Sequence, residues 1–411
     1  MKLVSKMSSQ KSWIVCCFFN FLIASLIGLL MRYVYLFPLD INYGFLLHAH
    51  SHVAMLGWVY LMIYVLIVRF FLPSEKREKP VYNNLFWLTE FSVIGMMITF
   101  PVQGYALFSI IFSTLHIVLS YIFCRLVWKD IVKEKTPATM LLRTSVLFMV
   151  FSTFGVWCLG PAVSMLGKQS GFYQIAIQFF LHFQFNGWFL FAVLALLLKQ
   201  FDDKIEKKIF QKFFILLVIA TFLTFAFPVS WFVKCNFLSW INTFGVMLQL
   251  IAFVFFYKML KPQVDSFKAN LDTTTKIVYG LALCSLFLKI GIQLLVLIPN
   301  LAEVSHQIRN FIIGFIHLTT LGIITGFLLG VLLQNKLLSH QSYLLRTGIK
   351  SFIFGYIMTE VFLFLQGGFL YFVNEPLLGY YEGVFGTSFF IVIGLILITI
   401  SFIKEKKLDI V

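Results

Sequence analysis

Residues 45–71 have the sequence FLLHAHSHVAMLGWVYLMIYVLIVRFF, an almost unbroken apolar run that begins with three histidines. A helix that crosses the hydrocarbon core of a bilayer needs about 20 apolar residues, so this run is long enough. His48, His50 and His52 would then lie within the membrane, where an ionisable side chain is costly unless it has a partner. The stretch therefore predicts both a membrane helix and a functional site.

The composition indicates an all-α, polytopic membrane protein. Of the 411 residues, 60% are hydrophobic and 12% are charged, and a soluble domain cannot bury that much apolar surface. Apolar runs of sufficient length predict twelve transmembrane helices. In chain order, helices 1 to 12 are predicted at 12–36, 45–71, 84–103, 105–128, 140–166, 172–199, 209–233, 237–260, 275–298, 306–334, 350–373 and 383–403.

The basic residues are concentrated in alternate loops between these helices. The exceptions are Arg32, Lys168, Lys234, Lys289 and Arg309. The positive-inside rule accounts for such a pattern, so the net charge of +15 does not indicate a nucleic-acid partner. It predicts a multi-pass protein of a bacterial cytoplasmic membrane with both termini in the cytoplasm.

The motif His-x4-Gly occurs on three predicted helices. The copies are His52–Gly57 on helix 2, His182–Gly187 on helix 6 and His317–Gly322 on helix 10. Since each copy is four helices from the next, the motif indicates an internal repeat. We expect one membrane domain, 1–411, with three four-helix repeats at approximately 1–134, 135–265 and 266–411.

The three motif histidines are predicted to lie at similar depth. Helices 2, 6 and 10 should enter from the outer side, which places the imidazoles about 12–18 Å along each helix axis. His116 on helix 4 lies at a comparable depth without the glycine. Imidazole binds both haem iron and copper, so shared ligation and hydrogen bonding between helices both remain open.

The histidines of the first cluster point in different directions. At about 100° per residue, His48 and His52 share a helix face and His50 lies nearly opposite. His52 keeps the register of the repeat. His48 either extends the site or lies in water at the interface, and His50 either contacts a neighbouring helix or belongs to a second site.

Twelve helices in three groups, with histidines on helices 2, 6 and 10, resemble the catalytic subunit of haem–copper oxidases and nitric oxide reductases. The stretch His52–Leu56 is similar to the helix-2 haem-ligand segment of that family. The tripeptide at 48–50, His-Ala-His, resembles the NnrS family of haem and copper membrane proteins. The resemblance implies that His52 and His317 are axial ligands of one low-spin, b-type haem.

The same resemblance implies further contacts to cofactors. It leaves His182, with or without His116, for copper, a second haem or no ligand. His48 and His50 are additional candidates around the haem. Arg32, at the outer end of helix 1, is either a partner of a haem propionate or an interfacial anchor.

The sequence departs from the oxidase pattern at two places. Helix 7 contains no histidine where the family has an adjacent pair, and helix 10 carries His317 alone. We therefore expect no complete dinuclear centre. The resulting hypothesis is a haem-binding protein of redox, electron-transfer or nitric oxide-related function. Such a protein would be an oxidoreductase similar to the haem–copper oxidases. Its expected partners are the lipid bilayer and an electron-transfer partner or other respiratory membrane subunits.

The alternative function is transport of a metal ion or small solute, with the histidines forming a transient site. Repeats and sites near the membrane midplane are typical of transporters. Two more ionisable residues, Glu360 on helix 11 and Lys289 on helix 9, are predicted inside the membrane. They either tie helices together or form part of a proton path.

Overall fold

The computed structural model describes residues 2–201, 204–338 and 342–404, with side chains from Gln10 onward. No strand occurs in this part of the chain. Residue 1 and residues 405–411, to which the prediction about the termini extends, lie outside it.

Twelve helices among the described residues are long and apolar enough to cross a membrane. The protein is therefore an all-α polytopic membrane protein, as its sequence predicts. Helices 1 to 12 are Gln10–Leu36, Tyr43–Phe71, Pro80–Gln103, Leu107–Asp130, Pro137–Leu166, Gly171–Leu198, Lys207–Ser230, Asn236–Ala269, Thr273–Leu295, Arg309–Gln334, Tyr343–Phe372 and Tyr380–Lys404.

Helix 11 begins at Tyr343, seven residues before its predicted start. The Ser342 side chain accepts a hydrogen bond from the backbone N–H of Leu345 at 3.3 Å. Such an N-cap satisfies one of the amide groups left unpaired in the first turn. Helix 11 therefore begins at a polar N-cap residue. A count of apolar residues misses the first turn and places the start of the helix too late.

Helix 10 begins later than predicted, at Arg309, because Ile308 has an extended backbone. His306 consequently lies on a separate short helix, Pro299–Gln307. Its ring stacks on Trp231 with a centroid distance of 5.4 Å. His306 is therefore a packing residue outside helix 10.

The chain forms two compact units. The first comprises Met1–Ile131, Asp272–Tyr279 and Ile308–Val411. Within it, helix 1 packs on helices 2 and 12, helix 3 on helices 2 and 4, and helix 11 on helices 10 and 12. The second comprises Val132–Leu271 and Gly280–Gln307, where helix 5 packs on helix 6 and helix 7 on helix 8. The threefold repeat stays a prediction.

The three helices that carry the His-x4-Gly motif are the most buried of the twelve. The buried share of the apolar window is 72% in helix 2, 78% in helix 6 and 61% in helix 10, against 33–50% in the others. A helix that is apolar on all sides is typical of a position surrounded by other helices. The motif histidines therefore lie on helices enclosed by protein.

A π-helical segment directly follows each motif histidine. The segments are Val53–Tyr60 after His52, Phe183–Phe189 after His182 and Leu318–Ile324 after His317. π-helical turns are rare in proteins, and those that occur are often found at functional sites. The sequence motif thus coincides with a repeated irregularity of the backbone.

Helices 11 and 12 approach closely at a glycine, and this contact yields a prediction about stability. A Cβ atom on Gly394 would lie 2.6 Å from the backbone nitrogen of Phe352, whereas one on Gly386 would have no atom within 4 Å. We expect Gly394→Ala to lower the free energy of unfolding by about 1–3 kcal/mol, because backbone cannot move aside. Gly386→Ala on the same helix is the control. Thermal unfolding in detergent measures both, and equal midpoints would contradict the close approach.

Candidate functional site

His48 and His52 face the C-terminal end of helix 3. The Nδ1–H of His52 donates to the carbonyl oxygen of His48 at 2.8 Å, and its ring lies 4.3 Å from that of Phe100. The Tyr105 hydroxyl is 3.3 Å from His52 Nε2, and the same tyrosine ring lies 4.6 Å from the ring of His48. The two histidines therefore share one face of helix 2.

His50 points the other way, towards helix 1. Its Nδ1–H donates to the carbonyl oxygen of Ala24 at 2.8 Å. A Cβ atom on Gly28 would lie 2.9 Å from His50 Cε1, so the glycine makes room for the imidazole. Of the two possibilities for His50, the contact with a neighbouring helix is present.

His317 on helix 10 faces Glu360 on helix 11. The distance from His317 Nδ1 to Glu360 Oε1 is 3.8 Å, which is too long for a hydrogen bond. In the described part of the chain, neither that nitrogen nor either carboxylate oxygen has a hydrogen-bond partner. Two buried polar groups thus face one another unsatisfied, an arrangement that costs stability and suggests a functional role.

Arg32 on helix 1 lies beside this pair. Its guanidinium donates to the hydroxyl of Ser388 and, at 3.2 Å, to the carbonyl oxygen of Val384. It is also close enough to interact electrostatically with both Glu360 and His317, and His50 is a further neighbour of His317. All four residues belong to the first unit: Arg32, His50, His317 and Glu360.

His116, on helix 4, is buried beside helix 2. Its Nδ1 is 3.3 Å from the Ser120 hydroxyl, which itself donates to the His116 carbonyl oxygen at 2.8 Å. The ring of Tyr60, in the π-helical segment, lies 4.8 Å from the ring of His116. Nε2 of His116 has no hydrogen-bond partner among the described residues, and His52 is an electrostatic neighbour.

His182, in the second unit, uses its ring nitrogens differently. Its Nε2–H donates to the carbonyl oxygen of Thr221 on helix 7 at 2.8 Å. The Asn186 amide is 3.4 Å from Nδ1 and donates to the His182 carbonyl oxygen at 3.2 Å. Gln184, the other polar neighbour, donates to the hydroxyl of Ser152 on helix 5 at 3.0 Å. These contacts tie helices 5, 6 and 7 together.

The ring nitrogens divide the histidines into two groups. In His50, His52 and His116 a local oxygen contacts Nδ1, and in His317 Nδ1 faces a carboxylate. The Nε2 atoms lie on the other side of each ring; that of His52 is 3.3 Å from the Tyr105 hydroxyl, and that of His116 has no hydrogen-bond partner among the described residues. Metal-bound histidines usually donate the second ring N–H to a carbonyl or carboxylate in this way. Among the described residues, His182 has the opposite arrangement, with Nε2 engaged by protein.

The side chains do not form a metal site made by protein alone. No group of three or more His, Cys, Asp or Glu residues in the described part of the chain is placed to hold a metal ion. Haem needs fewer protein ligands, because its iron already has four nitrogens and takes one or two axial side chains. Binding of this kind would therefore need only one or two of the histidines.

The motif glycines are explained by helix packing. A Cβ atom on Gly57 would lie 2.9 Å from Val93 and 3.0 Å from Asn20, and one on Gly187 would lie 2.6 Å from Phe148. Both glycines thus admit a side chain of a neighbouring helix. At these two positions the glycine therefore allows close packing of helices.

Two further contacts escaped the sequence analysis. The Trp58 indole N–H donates to the Thr325 hydroxyl at 2.9 Å, joining helices 2 and 10. On helix 3, Glu90 accepts a hydrogen bond from the Asn20 amide at 2.7 Å. A glutamate within an apolar run signals a site by the same argument that singles out Glu360, whereas nothing in the sequence pairs Trp58 with Thr325.

The fold and these contacts define an integral membrane protein with polar clusters between its helices. Comparison of the sequence with models of known protein families and with curated proteins gives no match. The resemblance to haem–copper oxidases thus depends on the residues named above.

The two buried glutamates differ in their hydrogen bonding, which predicts different effects on stability. We expect Glu90→Leu to destabilise the protein by about 1–3 kcal/mol, because the Asn20 amide loses its acceptor. Glu360→Leu should cost less or be stabilising, because it removes a carboxylate that has no hydrogen bond in the described structure. Thermal unfolding of the haem-free protein compares the two variants. A larger loss of stability in Glu360→Leu than in Glu90→Leu would contradict the difference in hydrogen bonding.

Proposed function

We propose that the protein binds haem inside the membrane and has a redox, electron-transfer or nitric oxide-related function without a complete dinuclear centre. The observation that supports this is the orientation of His50 and His317, whose Nδ1 atoms face a backbone carbonyl and a carboxylate, so that Nε2 lies on the opposite side of each ring. A haem of b type would supply a one-electron centre. An electron-transfer partner or respiratory subunits would follow from that chemistry.

The residues that would hold the haem are His317 and a histidine of helix 2. The register of the repeat favours His52, whereas the electrostatic neighbour of His317 is His50. Glu360 would orient the His317 ring through Nδ1, as carboxylates do for metal-bound histidines. Arg32, which is held by helix 12, would meet a propionate.

His182 has a lesser part in this proposal. Its Nε2 is bonded to a backbone carbonyl of helix 7, the helix on which the resembled oxidases have ligands of their own. Copper bound through Nε2 of His182 would need that ring to give up the Thr221 contact. The proposal for a cofactor therefore centres on haem, with copper as an addition.

A spectrum of the purified protein tests the proposal. We expect a reducible Soret and α-band and a positive pyridine haemochrome assay. His317→Ala should remove most of the haem, and comparison of His50→Ala with His52→Ala identifies the second ligand. Glu360→Gln should weaken haem binding by about 10–100-fold, the usual effect of losing such a partner.

His182→Ala is the matched control, since it removes a motif histidine whose Nε2 is already bonded. It should retain haem with unchanged bands. A protein without haem after expression in haem-replete cells and reconstitution would contradict the proposal, as would bands that survive loss of His317.

The second candidate is transport of a metal ion or small solute. The unsatisfied pair His317 and Glu360 and the π-helical interruptions of helices 2, 6 and 10 favour it, because transporter sites use polar groups on irregular helices. Metal uptake into proteoliposomes, lost in Glu360→Gln and independent of haem, would support this function over the first.

We further propose a bacterial cytoplasmic membrane with both termini in the cytoplasm. Loops rich in Lys and Arg stay on that side. Green fluorescent protein fused after Val411 should fluoresce, and alkaline phosphatase fused there should be inactive. Phosphatase inserted between helices 5 and 6, at Lys168, should be active, and the reverse pattern would contradict the topology.

A further inference from the structure

A groove of about 690 Å³ runs beside helices 1, 3 and 12 of the first unit. Its wall is mostly apolar, and Lys11 lies at one end. Asn20 and Glu90 also line it. Asn20 lies nine residues after Lys11, or about 14 Å further along helix 1. The groove therefore presents a polar pair within a mostly apolar wall.

The polar pair is built into the protein. Glu90 is 5% exposed, and its Oε2 accepts from the Asn20 amide at 2.7 Å. The same amide donates to the carbonyl oxygen of Gly57 at 3.1 Å, and the Cys16 thiol also bonds to the carboxylate. Since a carboxylate has about four acceptor positions, Glu90 retains capacity for another donor.

Aromatic side chains lie next to this acceptor. Phe19 and Trp87 line the groove and are 45% and 42% exposed. Aromatic rings favour offset or edge contacts with another ring. Ile94 and Met97 continue the wall with apolar surface. The groove thus combines a hydrogen-bond acceptor, two rings and an apolar path.

We propose that this groove binds a membrane-soluble phenol or hydroquinone with an apolar tail. The hydroxyl would donate to Glu90, the ring would lie against Phe19 and Trp87, and the tail would follow the apolar wall. The acceptor suits a hydroxyl donor, which the phosphodiester of a phospholipid does not have.

The bound hydroxyl would be linked to helix 2 through one side chain. Asn20 bonds to Glu90 and to the carbonyl oxygen of Gly57, which belongs to the π-helical segment after His52. A ligand that shifts the carboxylate would act on that segment. Binding itself requires no haem, so its test is independent of the proposed function.

The probe is radiolabelled 4-decylphenol, with decylbenzene as the analogue that lacks the hydroxyl, added to the full chain in nanodiscs. We expect saturable binding of the phenol and about tenfold weaker binding of decylbenzene, the effect of one hydrogen bond. Glu90→Leu should remove this preference. Glu360→Leu, which removes a membrane carboxylate outside the groove, should retain it.

A second pair of variants leaves the carboxylate untouched. Ile94→Trp should fill the groove and prevent binding, whereas Ile98→Trp, at a 62% exposed position outside the lining of the groove, should not. Equal binding of phenol and decylbenzene, or unchanged binding in Ile94→Trp, would overturn the proposal and identify the groove as an acyl-chain contact. The expected pattern in haem-free protein would support it even if the haem proposal fails.

Discussion

Hydrocarbon offers no hydrogen bonds, so every polar group inside these helices must find its partner within the protein. Most do. His50 and His52 take backbone carbonyls, and Trp58 takes a hydroxyl. Against that background the pair His317 and Glu360 is exceptional, since their facing atoms lie 3.8 Å apart without hydrogen bonds. Proteins keep such costly arrangements chiefly where function requires them.

The repeated motif is regular in sequence and backbone but not in its side-chain chemistry. All three copies place a π-helical segment directly after the histidine. The group that faces each ring differs, and so does the nitrogen that it faces. The Thr221 carbonyl of helix 7 faces Nε2 of His182, and the Glu360 carboxylate of helix 11 faces Nδ1 of His317. A carbonyl that binds Nε2 makes a helix contact, whereas a carboxylate facing Nδ1 is an arrangement common in metal-bound histidines. The motif is therefore the same on the three helices, while the neighbouring helices set the surroundings of each ring.

The sequence predicted the twelve helices because a membrane span depends on length and hydrophobicity alone. Helical periodicity also predicted that His48 and His52 share a face. It could not predict which ring nitrogen each histidine uses, because that depends on a neighbour distant in sequence, as Thr221 is from His182. The start of helix 10 was missed for a similar reason, since the extended backbone of Ile308 leaves no mark on a hydropathy profile.

Helix 2 connects the two parts of the first unit that carry the proposals. Gly57 must be glycine because Asn20 and Val93 occupy the space of a side chain, and this close approach brings the Asn20 amide to its carbonyl oxygen. The glycine five residues after His52 therefore joins the histidine's π-helical segment to the carboxylate of Glu90. The glycine of the helix-2 motif therefore connects the groove, through two hydrogen bonds of Asn20, to the π-helical segment that follows His52.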